Sequence, residues 1–463
     1  MSDLRRISQR FADFVEYVRS SFWAIPGLLI LISIAVAVLN LWVDTQVVPA
    51  LAQKNGSWFH NTEIASIRTL LSTMAAAILG VAGVTFSITI ASLTLASQQF
   101  GPRLIRTFMR NRFIQTVLGF FVATFVYCML SMQLSSILAN DSYVPISTLL
   151  TILILTIVDL VLLVLFIHHI CVSIQVDSVI AEVSNEMKSR VTTLLPESDE
   201  NTMDPSPQLV AEFNSNFADN AQKTLSTQDG YVTSFDYDGL LAYAAEQHVL
   251  IRVLQRAGDY VLVGSPLYEH ISEDAAANPS ILMEKSFCIV GFTRTPLQDL
   301  EYTIRQLVEI ALRALSPGIN DPFTAITCLD RLGSLINLVA SRQIAPELIM
   351  DEHDNPRMLV KTTSYDGIVQ TAFDQIRQNA RSNVDVLIRM LEILDQLSLL
   401  VPDRQKTTIL LHQADQIIEK VDLANFTKSD HSTIMDRYNM IKETIANREE
   451  QRSLMPSANY RQD

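Results

Sequence analysis

The 463 residues are 49% hydrophobic and only 18% charged, with a formal net charge of −14 and a mean hydropathy of +0.23. The charge is split: Met1 to Ile180 holds ten basic and eight acidic residues, a net of +2, which leaves 25 basic and 41 acidic residues, a net of −16, in Ala181 to Asp463. These figures exclude an average soluble enzyme, a disordered chain and, with four Cys, a disulfide-stapled secreted module; an acidic chain also lacks the basic footprint of a nucleic-acid binder.

Residues 1–21 open the chain with Leu4, Ile7, Phe11, Phe14 and Val18 at three- and four-residue spacing and arginines between them. That pattern predicts an amphipathic interfacial helix on the inner leaflet or packed on its own protein. The apolar stretch that follows is too long for a cleavable signal and reads as an uncleaved anchor. Apolar runs at about 22–43, 69–98, 113–138 and 146–171 are each long enough to cross a bilayer. They predict a four-helix transmembrane domain over 22–176. Its second run, at 1.5 Å per residue, reaches about 45 Å and must tilt or project.

Short-loop Lys and Arg set the predicted topology. Four precede the first run and four (Arg103, Arg106, Arg110, Arg112) follow the second, against two and none in the other loops. Both termini are expected on the cytoplasmic side. The second arginine group lies at the cytoplasmic mouth, where it meets lipid headgroups or, in an oligomer, forms a ring.

Residues 177–207 read as a helical extension and a Pro-, Ser- and Asp-rich linker. A β-rich cytoplasmic module is expected over 208–295, with strands at Gly230–Phe235, His248–Leu254, Tyr260–Val263 and Ser286–Phe292 and a helix over Asp238–Gln247. Its hairpin, with turns at Gly258 and Gly264, looks like the strand arrangement of small barrel modules such as the biotinyl/lipoyl hairpin. No Lys sits at its tip, so no cofactor attachment is expected. A mainly helical module over 296–450 follows, with Asp321 as a helix N-cap, Pro322 at the first helical position and a short strand at Met358–Thr362. Residues 451–463 form a frayed tail. The predicted fold class is thus an α-helical membrane bundle of four spans plus a cytoplasmic α+β domain, a small barrel-like module followed by helices.

Asp159 is the sharpest candidate residue, a lone carboxyl mid-way along the fourth run. A charge at that depth costs about 2.5 to 3.5 kcal/mol on insertion scales and usually faces a bundle interior or an aqueous path. It reads as an ion or proton site or as an acid bonded to neighbouring hydroxyls, its partners coming from the second or third run. Thr85, Ser87, Thr89, Ser92, Thr94 and Ser97 fill the second run, beside Gly80 and Gly83. They suit close helix packing or a pore lining. His168, His169, Cys171 and Cys128 lack metal-ligand spacing, so no metal is expected. Asp351, Glu352 and Asp354 beside His353 read as a solvated loop. No catalytic motif occurs, so an enzyme is not expected.

Two motifs carry a resemblance: Ser97-Gln98-Gln99-Phe100-Gly101-Pro102-Arg103-Leu104, and Ala311 to Ala325 with Ser316-Pro317-Gly318-Ile319-Asn320-Asp321-Pro322 at its centre. Over nearly its whole length the chain resembles the bacterial membrane proteins called domain of unknown function 2254. The resemblance implies an inner-membrane protein and brings no known catalytic or binding residues. From the residues themselves, the expected function is a homo-oligomeric ion channel or ion-translocating protein with a cytoplasmic assembly and gating domain, its partners the lipid bilayer and inorganic ions. The alternative is a membrane-anchored sensor or scaffold for a cytoplasmic ligand or protein.

Overall fold

A computed structural model describes residues 23–47, 64–101, 111–137, 146–197, 205–217, 221–272, 287–344, 346–380, 383–420 and 426–454. The interfacial helix over 1–21, the tail from 455 onward and Arg103, Arg106 and Arg110 lie outside them. The chain divides into two compact units, Met1–Ser178 and Val179–Asp463.

The first unit is built from four apolar helices: α1 (Ala24–Trp42), α2 (Ile64–Phe100), α3 (Arg112–Ile137) and α4 (Ile146–Ser173). At 37 residues, α2 is about 55 Å long, well beyond the ~30 Å hydrocarbon thickness. The central helix is α3, packed on α1, α2 and α4. A Cβ added at Gly119 of α3 would stand 2.8 Å from the Pro26 Cα, so the backbones of α1 and α3 meet there at a distance only glycine allows. Two buried apolar clusters fill the unit. One joins Ala37, Leu71, Tyr127 and Ile152, the other Ile78, Ile114, Val117, Phe121, Phe166 and Ile170.

Gly101, with φ of 108°, ends α2, and its N–H bonds the Ser97 carbonyl at 3.1 Å, the left-handed stop that glycine permits. At the other end of the bundle α1 widens into a π-helical turn, Val43–Val47, which carries Asp44 into the interior.

Helix α5 (Val176–Leu194) begins at the end of the first unit and lies almost wholly in the second, which continues with α6 (Pro207–Ser215) and then mixes strands and helices. Strands β1 (Gln222–Leu225), β5 (Pro266–Ser272), β3 (Val249–Val253), β8 (Pro356–Leu359) and β7 (Leu348–Met350) form one sheet in that order. A second sheet runs β4 (Tyr260–Val261), β2 (Gly230–Phe235) and β6 (Cys288–Gly291), with α7 (Tyr237–Glu246) after β2.

The expected barrel-like module is therefore corrected: these are two open sheets, with no closed barrel among the described residues. The cause is topological. The turns at Gly258 and Gly264 send β4 across to β2, while β3 pairs antiparallel with β5 on one side and parallel with β8, which arrives after two intervening helices, on the other. Val232, Phe235, Leu240, Ile251, Tyr268 and Met358 fill the core beside the sheets.

The helices α8 (Leu300–Ala314), α9 (Pro322–Ala340), α10 (Tyr365–Asn379), α11 (Val384–Leu400), α12 (Arg404–Lys420) and α13 (Lys428–Leu454) pack on one another through buried Leu307, Leu332, Ile336, Phe373 and Leu394. Five helices among the described residues are long and apolar enough to cross a membrane, the four of the first unit and α9. In α9, Asp330 receives a 2.7 Å hydrogen bond from Arg389 Nε of α11.

Candidate functional site

Asp159 sits mid-way along α4 with 6% of its surface exposed. The Thr124 hydroxyl and the Cys128 thiol of α3 lie beside its carboxyl. Neither Asp159 oxygen accepts a hydrogen bond of good geometry from a described residue; the Thr124 hydroxyl lies within reach of the Asp159 carboxyl and the Ser131 hydroxyl within reach of the Tyr127 phenol, both imperfectly aligned. Residues 124, 128 and 131 follow helical spacing, so α3 presents a polar stripe towards α4 at this depth. Buried polar groups normally find partners, because leaving one unmade costs roughly 1 to 3 kcal/mol and more for a charge. The arrangement is thus expensive as pure architecture.

A second polar group closes the α4 N-terminus. Asp44 Oδ1 accepts the Ser147 backbone N–H at 2.8 Å, and Oδ2 accepts the Thr148 backbone N–H at 3.2 Å and the Thr148 hydroxyl at 2.8 Å. A residue a hundred positions upstream thereby caps the fourth helix, meeting exposed N–H groups and the positive end of the helix dipole. One turn before it, Asn40 donates from Nδ2 to the Tyr127 hydroxyl at 2.9 Å and to Thr151 Oγ1 at 2.8 Å. The Tyr127 hydroxyl donates to the Thr148 carbonyl at 3.3 Å. Asn40, Asp44 and Tyr127 were not foreseen. The i, i+4 spacing of Asn40 and Asp44 at the end of an apolar run places them on one helix face but does not mark a cap, and Tyr127 carries no such signal.

The hydroxyls of α2 do not converge on Asp159. Thr85, Ser87, Thr89 and Thr94 each donate to the carbonyl four residues back, at 2.7 to 2.9 Å. Thr85 and Thr89 are buried, Ser92 is half-buried, and Ser87 and Thr94 are exposed. Thr89 and Ser92 line an apolar groove of about 280 Å³ together with Trp23, Phe86, Ile114 and Ile170. Arg112 opens α3 as an exposed side chain. The His169 Nε2 pairs with Asn111 Nδ2 at 2.9 Å, whereas His168 and Cys171 are exposed.

In the second unit the motif from Ser316 to Pro322 builds the corner between α8 and α9. The Asn320 and Asp321 N–H groups bond the Ser316 and Ala314 carbonyls at 2.9 and 2.7 Å, with Asn320 at φ of 47°. Asp321 caps α9 by accepting the Thr324 N–H at 3.2 Å and its hydroxyl at 2.6 Å, with Pro322 at the first helical position. The corner leaves Pro317 and Gly318 exposed, with Ile319 and Phe323 beside them. At the opposite end of α8, Arg256 reaches Glu301 at 2.7 Å and Thr363 at 2.9 Å, Lys361 reaches Asp259 at 3.4 Å, and Arg294 pairs with Asp299. This network fastens the β3–β4 turn to the start of α8 and the end of β8.

Asp351 does more than sit in a solvated loop. It accepts the His353 and Asn355 N–H groups and Arg357 Nε, each at 2.9 Å, and so organises the β7–β8 turn. Arg357 and these N–H groups hold its carboxyl well below the usual carboxylate range.

The chain is 26% identical over 434 residues to uncharacterized proteins of Mycobacterium tuberculosis (strain CDC 1551 / Oshkosh) and Mycobacterium bovis, covering 91% of its own length and 80% of theirs. No solved structure matches it significantly. The description "Predicted membrane protein (DUF2254)" matches residues 19–396, from before the first apolar helix into α11. The chain belongs to the DUF2254 family of predicted membrane proteins.

Proposed function

We propose that the protein crosses a bacterial inner membrane four times, through α1 to α4, and translocates ions as a homo-oligomer whose second unit assembles and gates it. The observation that carries this reading is the buried Asp159 carboxyl, which has no well-formed hydrogen bond from a described residue. Four spans are few for a monomeric transporter, which supports an oligomer. The four arginines before α1 and the four after α2, against two and none in the other short loops, support cytoplasmic termini and a cytoplasmic second unit. The fifth apolar helix, α9, stays outside the bilayer in this reading, because Asp330 ties it to Arg389 of α11. Current recorded across planar bilayers that hold the purified full chain tests the reading. Current above that of protein-free bilayers is expected, and its absence contradicts translocation.

A second reading, a membrane-anchored sensor or scaffold, is favoured by one observation. Leu262, Val263, Ile289 and Phe292 beside the β4–β2–β6 sheet are exposed, Phe292 by 93%, and exposed apolar patches often mark interaction sites. Under this reading Phe292→Ser weakens partner capture while Asp159→Asn changes nothing.

A further inference from the structure

The two polar groups of the bundle are related. Asp44, Thr148, Tyr127, Asn40 and Thr151 form one hydrogen-bonded group at the start of α4. Tyr127 is followed on α3 by Cys128 and Ser131 and preceded one turn earlier by Thr124, and Cys128 and Thr124 lie beside Asp159. Polar side chains thus run from the Asp44 end of the bundle to its middle.

From Asp159 to the opposite end the interior changes character. Val117, Phe121 and Phe166 are fully enclosed and, with Ile78, Ile114 and Ile170, form a dry plug. Ile114 and Ile170 of that plug also wall the groove lined by Thr89 and Ser92. Apolar side chains also pack around Tyr127 and Cys128 in the Asp44 half; what sets the halves apart is that the Asp44 end carries side-chain hydrogen bonds between helices, whereas the buried Thr85 and Thr89 hydroxyls of α2 are spent on their own helix backbone.

The chemistry of the donors selects what such an interior can hold. A carboxylate removed from water needs a counter-charge or hydrogen-bond donors. The facing helices supply the Cys128 thiol, the Tyr127 phenol and, at the Asp44 end of α2, Arg68, whose Nη2 bonds the Ser135 carbonyl at 2.8 Å. None of them bonds Asp159, and the donor beside its carboxyl is the single Thr124 hydroxyl. A divalent cation needs about six or more oxygens, and no group of three or more His, Cys, Asp or Glu that could hold a metal ion occurs among the described residues. The proton alone needs no coordination shell.

Resting on the translocation reading above, we infer that the transported ion is the proton, which reaches Asp159 from the Asp44 end along the Tyr127 side of α3 and is held there by the Phe121–Phe166 plug until the bundle rearranges. Asp159 takes the proton on a carboxyl oxygen and gives the same proton up on the far side, so no co-reactant is consumed.

The test uses the full chain in liposomes under an imposed pH gradient, with proton entry, Na+ entry and K+ entry read by separate dyes. Expected results are proton entry without Na+ or K+ entry, loss of it in Asp159→Asn, a several-fold decrease in Tyr127→Phe, and an increase in Phe166→Ala. Tyr127→Phe keeps the ring and its packing, and elution as a single species in detergent confirms that each variant is folded. Entry of Na+ or K+ without proton movement overturns the proton inference and leaves translocation standing. Proton entry that Tyr127→Phe and Phe166→Ala both leave unchanged overturns the path. No entry of any ion overturns the inference and the translocation reading together.

Discussion

Individual residues carry more of this structure than their types announce. Gly258 sits at φ of 96°, and a Cβ there would come within 2.2 Å of an Asp299 carboxylate oxygen and 2.7 Å of Arg294. Gly258→Ala is therefore expected to cost roughly 1 to 3 kcal/mol, from the left-handed backbone and the broken ion pair together, and thermal unfolding of the second unit measures it. Asp351 provides the pH dependence. Its folded carboxyl titrates below the unfolded value of about 3.9, so its stabilisation is complete above that pH and is lost as pH falls through it toward the folded value. The melting temperature of Asp351→Asn should fall below that of the parent at pH 7, with the gap closing below about pH 3.9; an equal gap at both pH values contradicts the assignment. Burial pushes the Cys288 thiol up to about 12, and Cys328 is also enclosed. Both should resist alkylation at pH 8 until the protein is denatured.

At the scale of elements, packing decides what composition leaves open. Gly119→Leu drives a side chain into Pro26 across the α1–α3 contact, so a lower unfolding temperature in detergent is expected; an unchanged one contradicts that close approach. The apolar helices were legible because runs of that length admit few alternatives in water, and Asp321-Pro322 announced the start of α9. Strands β2, β3, β4 and β6 were legible from short β-prone runs bounded by turn residues. Strand β5 was not, because buried Glu269 and His270 break its apolar pattern; Glu269 is paired across the sheet with Arg252. The parallel pairing of β3 with β8 depends on a long crossover that no local signal encodes, which is why two open sheets stand where a small barrel was expected. Asp159 stood out as a lone charge in an apolar run. Asp44 lay at the end of one, where acidic residues are ordinary, and only the tertiary fold reveals it as a cap.

For the whole molecule, the separation of a +2 portion from a −16 portion coincides closely with the division into two units near residue 178. One unit carries four helices with apolar exteriors, and the other has its own sheets and helical core. Asp159 is the centre of the proposed translocation, because a buried carboxyl that accepts no hydrogen bond of good geometry from a described residue is costly as architecture alone. The most direct measurement compares ion entry into liposomes holding equal amounts of folded wild-type protein and Asp159→Asn, a near-isosteric change that removes the titratable oxygen and with it the site's ability to ionise. Measurable entry is expected with the wild type, and entry at the level of empty liposomes with Asp159→Asn. Equal entry with both proteins would contradict it.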